Sequence, residues 1–573
     1  MTRIRKIEIR NFRSIQLLDW FPSSGMNCLV GPGDSGKSTV LDAIDLCLGA
    51  RRTVSFEDTD FHNLNVAAPI SITLTLGDLS DALKSIESYG DYLRGFHPTT
   101  GVIDEEPGKG LETVLTLALT VGSDLEPVWQ LVSTRAQQQG LERGIAWKDR
   151  LEVAPSRMGS YAATNLAWSR TSVLNRLTDE QANLGPELAR AARETRNAFG
   201  SKADAPLAQT IKTVTDTANS LGVPVGKSAQ ALLDAHSVSI TDGAIALHDE
   251  HGVPLRSLGT GSARLLVAGL QRAAAKNAPI VLVDELELGL EPHRLTRLLH
   301  ALGTKEKAAT LQAFVTTHSP VAVRELSGDQ IFVIRRLNDH HFVGPVGTAN
   351  DIQATIRTDP EAFLARTVIV CEGASEVGFV RGLDIYWTSL GHPSLLSAGV
   401  SCANVGGGTP DRCFERGTEL RKLGYGVIAF VDGDKPFGPT AIAELTAAGG
   451  GSMSWEHGRA LEDELFMSLD NQGVDALLQK AIEFEGRGLI DDHIKSYSNG
   501  KTTLEAIAAQ AVISGHSPVV RAFLGHTARK GGWFKTVTRY EVVAQDVVGP
   551  LFQHSAADFQ QKVQSLFSWS RNA

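Results

Sequence analysis

The sequence lacks any apolar run approaching the roughly 20 residues that a membrane-spanning helix requires. Its charged start, Thr2-Arg3-Ile4-Arg5-Lys6, leads directly into a strand-like alternation, so neither a signal peptide nor a membrane span is expected. Cysteine is scarce: Cys28, Cys47, Cys371, Cys402 and Cys413 are odd in number and unpaired in spacing, which argues against a disulfide scaffold. Cys28 and Cys371 lie inside apolar runs and read as buried thiols, suited to a reducing, cytoplasmic location. A basic excess is also missing. With 55 Lys and Arg against 65 Asp and Glu, the net charge is −10, so any nucleic-acid site must be a local patch.

What is present is ordinary globular composition, 42% hydrophobic and 21% charged. The 573 residues are enough for roughly three to four domains. The most informative stretch is Gly31-Pro32-Gly33-Asp34-Ser35-Gly36-Lys37-Ser38-Thr39. It follows the apolar run Met26 to Val30 and precedes Val40 to Leu48, whose apolar positions fit an amphipathic helix. Strand, glycine turn and helix together convert a G-x-x-x-x-G-K-S match into a nucleotide phosphate site. Backbone N–H groups and the helix N-terminus face the phosphates, Lys37 reaches the β- and γ-phosphates, and Ser38 sits on Mg²⁺.

Strands are expected around Ile4 to Ile9, Ile70 to Leu76, Leu111 to Val121 and Pro127 to Ser133, with Glu87 to Gly110 as an exposed loop. From about Leu166 to Leu233, apolar residues recur at helical spacing between Pro186, Pro206 and Pro224, which predicts a helical insertion. Ser237 to Ile240 and Ala244 to Leu247 read as a hairpin. Next comes a small-residue loop, Ser257 to Ala263, opening the helix Leu265 to Ala275. The apolar strand Ala278 to Glu285 ends in two acids: Asp284 is placed for Mg²⁺ and Glu285 for the attacking water. A further strand, Leu311 to Ser319, ends at His318, a candidate γ-phosphate contact.

Residues 1–345 therefore resemble the ATP-binding-cassette ATPases of the SMC and RecF type. Gly31 to Ser38 matches Walker A, and Pro279 to Glu285 matches Walker B. Glu287 to Pro292 resembles the D-loop and His318 the switch histidine. Ser257 to Ala263 resembles the signature loop, with L-G-T-G in place of L-S-G-G. The resemblance implies that Ser257 and Gly261 meet ATP across a homodimer, or a larger homo-oligomer, with the insertion as dimerisation element. No glutamine is assigned to the Q-loop. No long heptad run separates the motifs, so long coiled-coil arms are not expected.

After a connector at 346–365, three features recur in order. Thr367 to Cys371 is an apolar strand ending in Glu372-Gly373, with Glu376 following; Val405-Gly406-Gly407-Gly408 is a glycine turn; Gly426 to Val431 is an apolar strand ending in Asp432-Gly433-Asp434. Carboxylates two apart on the tip of a strand, or flanking a glycine turn, can face the same point and suit hard cations. Glu462-Asp463-Glu464 opens a later helix, and Arg529-Lys530-Gly531-Gly532-Trp533-Phe534-Lys535 clusters cations with aromatics. Asn499 to Thr503 lacks the strand and glycine of a phosphate loop and reads as a helix cap.

This order resembles the Toprim fold. An SMC-like ATPase ahead of a Toprim domain is similar to the OLD (overcoming lysogenization defect) family of endonucleases. The fold expected is α/β throughout: an ATPase at 1–165 and 236–345, a helical insertion at 166–235, and a Toprim domain with a parallel central sheet and helical additions at 366–573. The resemblance implies DNA cleavage with two Mg²⁺ or Mn²⁺ ions held by Glu372, Glu376, Asp432, Asp434 and Glu462, and a cationic contribution from Lys530 or Lys535. It also implies a role in bacterial anti-phage defence, in some cases beside a second defence protein or nucleic acid. The alternative is a RecF-like DNA-binding ATPase clamp that does not cleave.

Overall fold

The computed structural model describes residues 2–51, 53–159, 247–275 and 278–572, with 165–166, 172–177, 207–217 and isolated positions between 187 and 227. Most of the expected insertion and the hairpin at 237–246 lie outside the described residues. Within the insertion, Val173–Arg176 and residues 207–217 are helical.

Thirteen of the described strands form one sheet. One side of it is parallel, running in from the edge: Ser156–Met158, Ile280–Val283, Gln312–Thr316, Met26–Val30 and Ile331–Leu337, in that order. Each residue of Met26–Val30, Ile280–Val283 and Gln312–Thr316 is buried, which is why these segments read as continuous apolar runs and not as alternations. The order places the histidine-ended strand beside the strand that feeds the phosphate loop, and the acid-ended strand next beyond it. The sheet then turns antiparallel through Arg3–Phe12, Ile70–Gly77 and Glu112–Val121. Trp20 sits edge-on to Phe314 at 5.6 Å and Phe332 at 5.3 Å, tying the two halves together.

The segment 87–110 is not simply a loop. It holds a short helix, Ile86–Tyr89, and the strands Arg94–Phe96 and Ile103–Asp104. Its acids and glycines suggested exposure, but Tyr89, Tyr92, Leu93 and Phe96 are buried anchors, and the Tyr89 hydroxyl donates to Asp149 at 2.6 Å. Pro127–Leu131 is also shorter than expected, because Ser133 instead caps the helix Thr134–Gln138.

The C-terminal part has its own sheet, Val400–Asn404, Thr367–Cys371, Gly426–Val431 and Gly451–Ser454, all parallel. The helix Ala374–Ser389 crosses from the Thr367–Cys371 strand, and a helical array from Leu461 to Asn572 covers one face. Thr503 caps Leu504–Ser514, as the sequence suggested.

The connector is a packed joint. Asn350–Thr358 and Pro360–Phe363 bury Ile352, Ile356 and Phe363 in a core that runs unbroken from Met26 and Val315 to Val368, Ala429 and Val431. Arg335 crosses the joint. Its guanidinium donates to the Ala365 carbonyl at 2.6 Å and the Arg366 carbonyl at 3.3 Å, and lies 3.7 Å from the centroid of Tyr425. The Tyr425 hydroxyl donates to the Phe363 carbonyl at 2.8 Å.

His341, on the strand His340–Pro345, is only 5% exposed, and burial, with Arg336 and His62 nearby, pushes its pKa down to about 4. The fold therefore favours the neutral ring. That contribution is complete above the unfolded value near 6.5 and disappears as pH falls toward 4. Wild-type protein should lose thermal stability across this window more steeply than His341→Gln, as read by melting midpoints at stepped pH.

Candidate functional site

The phosphate loop joins the buried strand Met26–Val30 to the helix Lys37–Leu48. Gly36 adopts φ +91°, and a side chain at Gly31 would bring a Cβ within 2.4 Å of the Ile334 carbonyl, so both positions require glycine. The Lys37 ammonium folds back onto the Gly31 carbonyl at 3.1 Å, the Pro32 carbonyl at 2.7 Å and the Ser35 hydroxyl at 3.3 Å. Burial lowers its pKa to about 8, opposed by Asp34, Asp284 and Glu287. The lysine is thus held over the loop in which phosphates would sit.

Ser38 donates to Asp284 Oδ1 at 3.0 Å, and Thr316 donates to the same oxygen at 2.6 Å. The two side chains expected at Mg²⁺ therefore lie within hydrogen-bond distance of each other. Glu285 follows at φ +48° with its N–H on Thr316 Oγ1 at 2.8 Å, and its side chain is exposed. His318 is exposed at the end of Gln312–Thr316, its pKa lowered by burial and then by Lys37, against the pull of Glu287, Glu285 and Asp284. It therefore shares the electrostatic neighbourhood of the loop lysine and the Walker B acids.

Three side chains of this site were not evident from sequence. Glu287 accepts the Thr317 hydroxyl at 2.6 Å and the His318 N–H at 2.8 Å, and so fixes the histidine turn. Arg264, fully buried, donates to the Leu288 and Asp284 carbonyls at 3.1 Å each, fastening the signature helix Thr260–Ala273 to the acidic loop. Arg157, on the edge strand Ser156–Met158, bridges Asp42 at 2.5 Å and Asp45 at 3.3 Å and lies 4.0 Å from Asp284. Of the two signature residues, Ser257 is exposed, whereas Gly261 is buried against its own chain, where a Cβ would stand 2.4 Å from the Gly289 carbonyl.

The second site lies at the C-terminal tips of neighbouring strands. Cys371 pairs with Phe430 in register, so Glu372 and Asp432 emerge from neighbouring strand ends, one residue out of step. The Asp432 N–H donates to Glu372 Oε2 at 3.2 Å, and Asp432 Oδ1 accepts the Leu461 N–H at 3.0 Å. Glu376, in the first turn of Ala374–Ser389, accepts the Gly373 N–H at 2.7 Å. Glu462, in the first turn of Leu461–Ser468, is 3% exposed.

These acids act on one another. Burial, with Glu372 and Glu462 adjacent, raises the Glu376 pKa to about 7. Burial followed by Glu376, Glu462, Glu372 and Asp434 pushes Asp432 far above the usual carboxylate range. Burial also raises Glu462, with Lys535 pulling the other way. Of the two candidate lysines, Lys535 is one of the charges acting on Glu462. Trp533 and Phe534 are fully buried, so they pack and do not present a stacking face.

Two other cations grip the cluster, and sequence spacing gave no sign of either role. Lys435 Nζ lies 2.8 Å from Glu372 Oε1 and 2.7 Å from the Gly408 carbonyl. Arg529 spans Asp434 at 3.2 Å and Asp463 at 3.3 Å. Among the described residues, no three His, Cys, Asp or Glu side chains form a ready metal cage. The acids lie within electrostatic reach of each other, yet Glu372 and Asp434 each engage a basic side chain.

Residues 6–88 match a family model described as "AAA domain", and residues 129–324 match one described as "AAA domain, putative AbiEii toxin, Type IV TA system". A search of curated proteins returned no match. Among solved structures, the chain is similar to an SmcHead bound to the C-winged helix domain of ScpA, at 16% identity and TM-score 0.35, covering 61% of this chain and 98% of that one. It is also similar to the SMC head domain from Thermotoga maritima, at 15% identity and TM-score 0.30, covering 60% and 100%. The recombination mediator RecF with ATP gives 12% identity and TM-score 0.32, covering 60% and 99%. The matched models and the assembled phosphate loop identify the N-terminal part as an ATP-hydrolysing domain that uses Mg²⁺. No helix among the described residues is long and apolar enough to cross a membrane.

Proposed function

We propose that this chain couples its ATPase to divalent-cation-dependent hydrolysis of DNA phosphodiesters, in the manner of the OLD-type endonucleases. The observation that carries the reading is the convergence of Glu372, Glu376, Asp432, Asp434 and Glu462 from two strand tips and two helix starts. The donor set fits a hard cation: it is all oxygen, and Asp434 Oδ1 and Glu462 Oε1 are buried without a hydrogen-bond partner. Glu372, Asp432 and Asp434 would hold one such ion, with Glu376 and Glu462 completing a second position.

When bound, Mg²⁺ or Mn²⁺ supplies an activated water and charge neutralisation at the phosphate. The chain's own residues prepare the site. Leu461 N–H orients Asp432, Gly373 N–H orients Glu376, and Lys435 and Arg529 balance the acids until cations and a phosphate arrive. Lys535, beside Glu462, is positioned to offset charge on the substrate. Exposed Ser257 supports a dimer in which each signature loop closes the partner's nucleotide site, with 166–235 as its contact. The family likeness supports a cytoplasmic role in anti-phage defence beside a second gene product.

The second reading, a DNA-binding clamp without cleavage, draws on the absence of a ready metal cage among the described residues. Supercoiled plasmid incubated with purified protein separates the two. The nuclease reading expects nicked or linear product in Mg²⁺ or Mn²⁺ and none with Glu372→Gln. ATP-dependent retention of uncut plasmid under all cation conditions would establish the clamp instead.

A further inference from the structure

Helix Arg487–Tyr497 packs against helix Pro518–Gly531 beside the acid cluster. His493 and Tyr497, four residues apart, share a face of the first, with ring centroids 6.3 Å apart. His526 on the second stands edge-on to Tyr497 at 6.2 Å. The Trp533 indole N–H donates to His493 Nδ1 at 3.1 Å and fixes that ring from beneath. Tyr497 remains 40% exposed, and His526 is exposed as well. A cluster serving only to pack would bury these rings, as it buries Trp533 and Phe534.

The trio is joined to the acids by one side chain. Arg529 brings Nη2 within 3.4 Å of His526 Nδ1 and Nη1 within 3.2 Å of Asp434 Oδ2. Exposed Lys530 extends the same face of its helix, four residues beyond His526. Basic side chains beside solvent-exposed aromatic rings match the chemistry of single-stranded nucleic acid. Paired bases in a duplex keep their faces stacked and offer only edges in the grooves.

We infer that His493, Tyr497 and His526 form a stacking platform for an unpaired base next to the phosphate held at the acid cluster, so that the substrate is single-stranded DNA or duplex DNA with an unpaired segment. This rests on the nuclease reading and names its substrate class. Arg529 then has two roles: it balances Asp434 and sets the distance from the platform to the scissile bond.

The test is fluorescence anisotropy of the full chain with a fluorescein-labelled ~20-nucleotide oligo-dT and with a duplex of equal length, in Ca²⁺ to hold off cleavage. Tyr497→Ala should weaken oligo-dT binding about tenfold and leave duplex binding unchanged, while Tyr497→Phe retains wild-type affinity. Equal losses on both DNAs, or no loss on oligo-dT, would overturn the platform while leaving the nuclease reading in place. Wild-type protein that binds neither DNA would overturn both.

Discussion

Asp432→Asn should abolish DNA cleavage and at the same time raise the melting temperature. The loss follows from position. Asp432 is the acid on which Glu376, Glu462, Glu372 and Asp434 all act, and its own N–H carries Glu372. An amide keeps the shape but removes the charge a divalent cation requires. Outer-shell partners alone cost 10- to 100-fold in metal sites, so loss of a ligand should cost at least ~100-fold in cleavage rate. ATP turnover should stay within about twofold, as expected of separate sites. The gain in stability comes from the same crowding: burial and like charges disfavour the ionised carboxylate, and the amide relieves both. A purely structural aspartate would give the opposite pattern, with stability lost and cleavage spared. Plasmid cleavage, phosphate release and a melting curve on one preparation decide between them.

Arg335→Met should destabilise the whole chain by about 3 kcal/mol, because it strands two buried carbonyls and uncovers an aromatic face. The carbonyls are those of Ala365 and Arg366, and the face is Tyr425, whose hydroxyl is itself committed to Phe363. Methionine retains most of the apolar stem, so the loss reports the guanidinium and not a cavity. The urea midpoint should fall for probes in both the ATPase and the C-terminal sheet. A fall confined to one of them would show that the joint is not shared.

The parts that were legible in the sequence share a physical cause. A glycine turn between a buried strand and a helix, or an acid directly after an apolar strand, is written in consecutive residues. The phosphate loop, Asp284, Glu372 and Asp432 were visible for this reason. Arg157, Arg264, Lys435 and Arg529 were not. Each acquires its role from partners that are distant in sequence or turned toward it by a loop, as Gly408 and Glu372 are toward Lys435. The buried Tyr89, Tyr92, Leu93 and Phe96 of 87–110 misled in the reverse direction, since local acidity outweighed these four anchors. The choice between Lys530 and Lys535 was not legible because the local motif fits either; in the structure Lys535 is among the charges that act on Glu462.

The unbroken core beneath the connector bears on how this protein can be divided. A cut between residues 364 and 366 would leave Val315, Ile352 and Phe363 on one fragment and Val368, Ala429 and Val431 on the other, each with a wet apolar wound. Neither fragment should be soluble when expressed alone, so exchanging the C-terminal half for another by gene shuffling would require a redesigned seam as well.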